Sequence, residues 1–166
     1  RESPMSNATT LKNLNTALQM ELTAAHQYQL HAHLLDDWGL DKLADMMRGE
    51  FEEENGHSDR FLERIFALGG EPEMAFAATP RVARSLKEMF KADLKDEKDA
   101  IAFYTRASKE AYEADDLATR ALFEEIALDE EGHKSWLELQ LSLIERIGEE
   151  RYTSKYVTAG ETESDD

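Results

Sequence analysis

Two copies of one short pattern, Glu54-x-x-His57 and Glu130-x-x-His133, carry the chemistry of this sequence. Residues three apart on a helix share a face one turn apart, so each pattern presents a carboxylate beside an imidazole. Glu21 stands in a 4–3 spaced stripe with Leu14, Leu18, Ala25, Tyr28, Ala32 and Leu35. Glu97 lies three residues before Ala100 and seven before Tyr104. Core-facing glutamates are costly unless paired or bound to a cation. Together these positions offer four glutamates and two histidines, which is a ligand set for two dications. Carboxylates can bridge the ions, imidazoles can fill terminal positions, and the charges nearly cancel. Hard oxygen with imidazole suits iron or manganese, and the absence of cysteine disfavours copper-transfer chemistry.

A single E-x-x-H is weak in so Glu-rich a chain, and a lone helical histidine is more often a surface or satisfied core residue. Two such motifs on alternate helices, each with a partner helix offering one stripe glutamate, are far less expected by chance. Tyr28, one heptad after Glu21, reads first as core packing; a hydrogen-bonding or redox role beside the metals is the sharper alternative. Asp129 is placed to orient an imidazole across the bundle, that of His57. Asp93 and Glu53 are weaker candidates for the metals' surroundings, because each reads equally well as a solvated helix acid.

Helical periodicity positions these residues. A first helix is expected from Thr9 or Thr10, either of which can cap it, to about Trp38, with Gly39 as a left-handed stop. A second runs from Asp41 to Leu68 before Gly69-Gly70. The stretch from Glu71 to Ala83, holding Pro72 and Pro80, reads as a long connection. A third helix runs from Ser85 to Ala114, and a fourth from the Asp115-Asp116 turn to Gly148. Glu149 to Val157 is expected to form a short fifth. Short joins make helices one and two, and three and four, antiparallel pairs, while the long connection runs the length of the bundle. The expected class is therefore all-α: a ferritin-like four-helix bundle with one long crossover and a short C-terminal fifth helix.

The 166 residues suit one domain with a sizeable core, and three prolines with eight glycines favour long helices. Residues 1–4 read as an expression scar, 5–157 as the folded domain, and 158–166 as an acidic, disordered tail. Against 19 Lys and Arg stand 36 Asp and Glu, a net charge of −17. No basic patch interrupts that field, which argues against nucleic acid and anionic membranes as partners. No apolar run approaches the roughly 20 residues that cross a bilayer. The cytoplasm is the expected compartment.

Four segments now resemble bacterioferritin: LNTALQMELTAAHQYQLHAHLLDDWGL, EENGHSDRFLERIFALGGEP, MFKADLKDEKDAI and LDEEGHKSWLELQLSLIERIG. The resemblance spans about Leu11 to Tyr156. It implies a hollow cage of 24 subunits around an iron mineral. It also implies an intrasubunit ferroxidase centre at Glu21, Glu54, His57, Glu97, Glu130 and His133, with two iron ions per subunit and O₂ or H₂O₂ as oxidant. Tyr28, Asp93 and Asp129 would lie around that centre, and a ferredoxin-type reductant would serve iron release. One position departs. Haem-binding members carry a methionine directly after the second-helix metal glutamate, and here that residue is Asn55. Haem is therefore not expected in a homomeric cage, whereas a mixed cage could draw it from a haem-binding sister subunit.

Three further readings remain at this level. A di-iron or di-manganese peroxidase or catalase could use the same bundle without storage. A DNA-protecting mini-ferritin would build its metal sites between subunits, which two intrasubunit E-x-x-H motifs do not suit. A non-catalytic subunit would not need the full ligand set.

Overall fold

A computed structural model describes residues 4–158, with side chains from 7 onward. The tail expected over 158–166 lies outside the described residues except for Thr158, as does the scar expected over 1–4 except for Pro4. Five helices follow in order: α1 (Pro4–Asp37), α2 (Asp41–Ala67), α3 (Leu86–Glu113), α4 (Leu117–Ile147) and α5 (Glu149–Thr153). No strand occurs among the described residues. None of their helices is long and apolar enough to cross a membrane.

The ends follow local chemistry. Pro4 opens α1, where a missing N–H costs nothing, so Thr9 and Thr10 lie inside the helix and not at its cap. The chain leaves α1 through Gly39, at a φ of 80° that an L side chain adopts only with strain. Ser85 caps α3 by accepting from the Glu88 N–H at 3.1 Å, and Asp116 caps α4 by accepting from the Thr119 N–H at 3.0 Å. The α5 helix is shorter than expected. It is held by Tyr152, which is buried and donates to Gln140 Oε1 on α4 at 2.7 Å. Thr158, expected in the free tail, donates its N–H to Asp41 Oδ1 at 3.0 Å.

Helix α1 packs chiefly on α2 and α3 on α4, and the pairs meet through α1 with α3 and α2 with α4. Two apolar cores result. One gathers Leu35, Leu43, Met47, Met89, Phe90 and Leu137. The other gathers Leu14, Leu18, Phe61, Ile65, Phe123 and Ile126. On α1, α2 and α4 the site residues fall between these two sets in sequence, so a polar layer divides the core.

The crossover has no regular structure between Leu68 and Ser85, so its backbone polar groups need other partners. Helix α1 supplies them from Asn15, Gln19, Thr23 and Gln27, one residue per turn. Asn15 bonds Glu71 and Glu73, Gln19 bonds Glu73, Thr23 accepts from Ala77 N–H, and Gln27 bonds both backbone groups of Arg81. The ladder lays the connection along α1.

Candidate metal centre

The structure brings all six expected residues together. Glu21, Glu54, His57 and Glu130 form one group and Glu54, Glu97, Glu130 and His133 another, with the potential ligand atoms of each within 4.8 Å of one another. All six are buried, His133 the least at 8 % exposure. Glu54 and Glu130 belong to both groups, while Glu21 goes with His57 and Glu97 with His133.

Both imidazoles turn Nδ1 inward. His57 Nδ1 lies 3.1 Å from Glu130 Oε1 and 3.6 Å from Glu21 Oε2. His133 Nδ1 lies 3.3 Å from Glu54 Oε1 and 3.4 Å from Glu97 Oε1. Both Nε2 atoms face acids on the other side. His57 Nε2 meets Asp129 Oδ2 at 3.0 Å, across the bundle as the sequence suggested. His133 Nε2 meets Glu50 Oε2 at 2.8 Å and Glu53 Oε2 at 3.0 Å. Asp129 holds His57 at Nε2 and so presents its Nδ1 as a ligand in fixed orientation, whereas His133 Nε2 and Glu50 Oε2 approach each other without forming a hydrogen bond.

The six residues each retain a buried atom with no hydrogen-bond partner: Glu21 Oε2, Glu54 Oε1, His57 Nδ1, Glu97 Oε2, Glu130 Oε1 and His133 Nδ1. Buried polar atoms are ordinarily satisfied, so six converging orphans call for a common partner. The donor set, carboxylate oxygen with imidazole nitrogen, fits a hard or borderline dication. The electrostatics agree. Burial pushes the Glu54 carboxyl well up and the Glu97 carboxyl to about 9. Burial would lower His57, but Glu130 and Glu21 outweigh it and hold the imidazole up at about 10. The raised carboxyls of Glu54 and Glu97 mark places where a cation would balance the buried charge.

Tyr28 does more than pack. It donates to Glu97 Oε1 at 2.5 Å. Tyr104, to which the sequence reading gave no role, donates to Glu21 Oε1. The signal was present: Tyr104 follows Glu97 by seven residues, as Tyr28 follows Glu21. Burial, and after it the facing glutamate, raise both phenols well above their ordinary range, so they remain donors. Glu50, one turn before Glu54 on the same helix, stands against His133. Asp93 pairs with His31 at 3.0 Å and not with either imidazole of the cluster.

Comparison with known proteins completes the picture. The ferritin-like domain family matches residues 11–147. The Brucella melitensis bacterioferritin is 42% identical over 142 residues, which is 86% of this chain and 88% of that protein. The Rhodobacter capsulatus bacterioferritin is 39% identical over the same shares. Its solved structure, described with a metal-free dinuclear site and haem iron, superposes with a TM-score of 0.90 at 36% identity, covering 93% of this chain and 96% of that one. Mycobacterium tuberculosis bacterioferritin BfrA superposes at 0.88 with 35% identity, covering 94% and 96%. The motifs, the bundle and these matches agree: the chain belongs to the ferritin-like family, among the bacterioferritins.

Proposed function

We propose that this chain is an iron-storage ferroxidase, oxidising Fe²⁺ at an intrasubunit two-iron centre and storing Fe³⁺ as mineral inside a self-assembled cage. The observation that carries the reading is the set of six buried, unpartnered ligand atoms converging from four helices. Family membership supports iron and a multisubunit cage, for which 24 subunits and a cytoplasmic setting are the expectation.

In this reading Glu54 and Glu130, common to both groups, would be shared by the two substrate ions. Glu21 with His57 holds one ion, and Glu97 with His133 holds the other. Two Fe²⁺ give one electron each, so O₂ with two protons yields H₂O₂, or H₂O₂ with two protons yields two waters. Tyr28 and Tyr104 fix the terminal carboxylates, and Asp129 keeps the Nδ1 of His57 turned inward. The two apolar cores flank the layer on either side along the bundle.

Haem does not fit this chain's own residues. Asn55 offers an amide where a soft thioether is needed. Met47, eight residues earlier, is fully buried within the bundle, and Met46, nine residues earlier, is exposed.

The test is stopped-flow oxidation of Fe²⁺ in air by the wild type and by the Glu54→Ala, Glu130→Ala double variant. The rapid phase should vanish in the variant while the far-ultraviolet helical signal persists. Equal fast-phase rates would remove the assignment.

A further inference from the structure

Beside the cluster lies a cavity of about 180 Å³, part of whose wall is the crossover. Ala77 and Arg81 line it from the crossover, Thr23 and Tyr28 from α1, and Asp96 and Ala100 from α3; it reaches the carboxylates of the cluster. At this end the crossover is fastened by Gln27. The Arg81 N–H donates to Gln27 Oε1 at 2.9 Å, and Gln27 Nε2 donates to the Arg81 carbonyl at 2.8 Å.

These two bonds set the polarity of everything behind them. A backbone N–H only donates and a carbonyl only accepts, so the Gln27 amide has one permitted orientation. Its second amide hydrogen then faces His31 Nε2 at 2.9 Å. That nitrogen must accept, which puts the imidazole proton on Nδ1, facing Asp93 at 3.0–3.1 Å. His31 is 1% and Asp93 2% exposed. The crossover backbone thus dictates a neutral His31 with one tautomer.

The converse also holds. A protonated His31 carries a hydrogen on Nε2 and opposes the amide donor 2.9 Å away. Turning the Gln27 amide relieves that opposition but sets oxygen against the Arg81 carbonyl and nitrogen against its N–H. His31 protonation and a seated crossover are therefore mutually exclusive with glutamine at position 27. The charged groups near His31 are Asp93 and Asp96 on α3, with Glu50 on α2 reaching the pair through Asp93, and Arg81 on the crossover beside Asp96.

We propose that Gln27 is a positioning residue that couples the protonation of His31 to seating of the crossover along the cavity wall. Neutral His31 keeps segment 77–81 seated, and protonated His31 releases it. The coupling involves no metal and goes beyond the ferroxidase reading.

Hydrogen exchange read by mass spectrometry on the assembled protein, with chelator present, tests it. Backbone exchange over 77–84 reports the crossover, and exchange at the imidazole C2 hydrogen reports the titration of His31. On acidification the crossover should exchange roughly tenfold faster or more, after correction for intrinsic chemistry, as two backbone bonds are lost. The midpoint should coincide with that of His31. In Gln27→Glu the carboxylate accepts from both the Arg81 N–H and a protonated His31. The His31 titration should then move to higher pH, and acid should no longer free the segment. Gln27→Ala should exchange fast at every pH. Three results would overturn the proposal: crossover exchange indifferent to the His31 titration, a His31 that holds one protonation state from about pH 5 to 9, or a Gln27→Glu variant that leaves the titration in place. None involves iron, so failure here and failure of the ferroxidase assignment are distinguishable.

Discussion

Tyr28 on α1 donates to Glu97 on α3, and Tyr104 on α3 returns the same bond to Glu21 on α1. Each helix carries a glutamate and, seven residues on, a tyrosine. Because α1 and α3 run in opposite directions, each tyrosine reaches the other helix's glutamate. The polar layer is thereby laced from both sides.

That lacing predicts the effect of removing a phenol. Tyr28→Phe and Tyr104→Phe keep the ring but leave one buried carboxylate oxygen without its donor. Each should cost about 1–3 kcal/mol in urea unfolding with chelator present. The two losses should not add, since both carboxylates share one cluster. A loss below about 0.5 kcal/mol in both variants, the range of ordinary surface changes, would contradict the lacing.

Metal should stabilise this layer. At a hundred times its dissociation constant, a ligand specific to the native state adds about 2.7 kcal/mol. For a chain of this size that raises the melting temperature by roughly 5–10 °C. Scanning calorimetry with Zn²⁺ or Co²⁺ after chelator removal checks it. The Glu54→Ala, Glu130→Ala variant should lose the shift, and an equal shift in that variant would place the bound ion elsewhere.

Asp116 gives a prediction with a pH sign. Burial would raise its carboxyl, but bonds from Thr119 and the charge of Arg64 outweigh burial and lower it. Arg64 Nη2 reaches Asp116 Oδ1 at 2.7 Å. A group lowered on folding contributes stability above its unfolded range and loses it as pH falls through its folded range. Asp116→Ala should therefore cost about 1–2 kcal/mol at neutral pH, and the gap to wild type should close below about pH 4. A gap that stays constant to pH 2–3 would assign the effect to packing.

Haem content follows from one residue. Wild-type protein expressed with a haem precursor should give no stoichiometric haem in a pyridine haemochrome assay. Asn55→Met is the gain-of-function partner, expected to acquire haem. Full haem in the wild type, with a spectrum showing two thioether ligands, would show that another methionine serves.

The sequence by itself determined what is local. Helix period alone put Glu54 with His57 and Glu130 with His133, because residues three apart on a helix share a face in any tertiary setting. Gly39, Ser85 and Asp116 mark helix ends through backbone geometry and side-chain caps that act within a few residues. Tertiary structure decided the contacts between helices. That Glu97 faces Tyr28, that Glu50 turns to His133, and that Asp93 belongs to His31 all depend on axial offset and rotation of one helix against another. Packing of the two cores sets those quantities, and no local period encodes them. The Gln27 fastening lay furthest from view. A glutamine in the second half of α1 reads as a solvated helix residue until an irregular segment, distant in sequence, brings its unpaired backbone groups alongside.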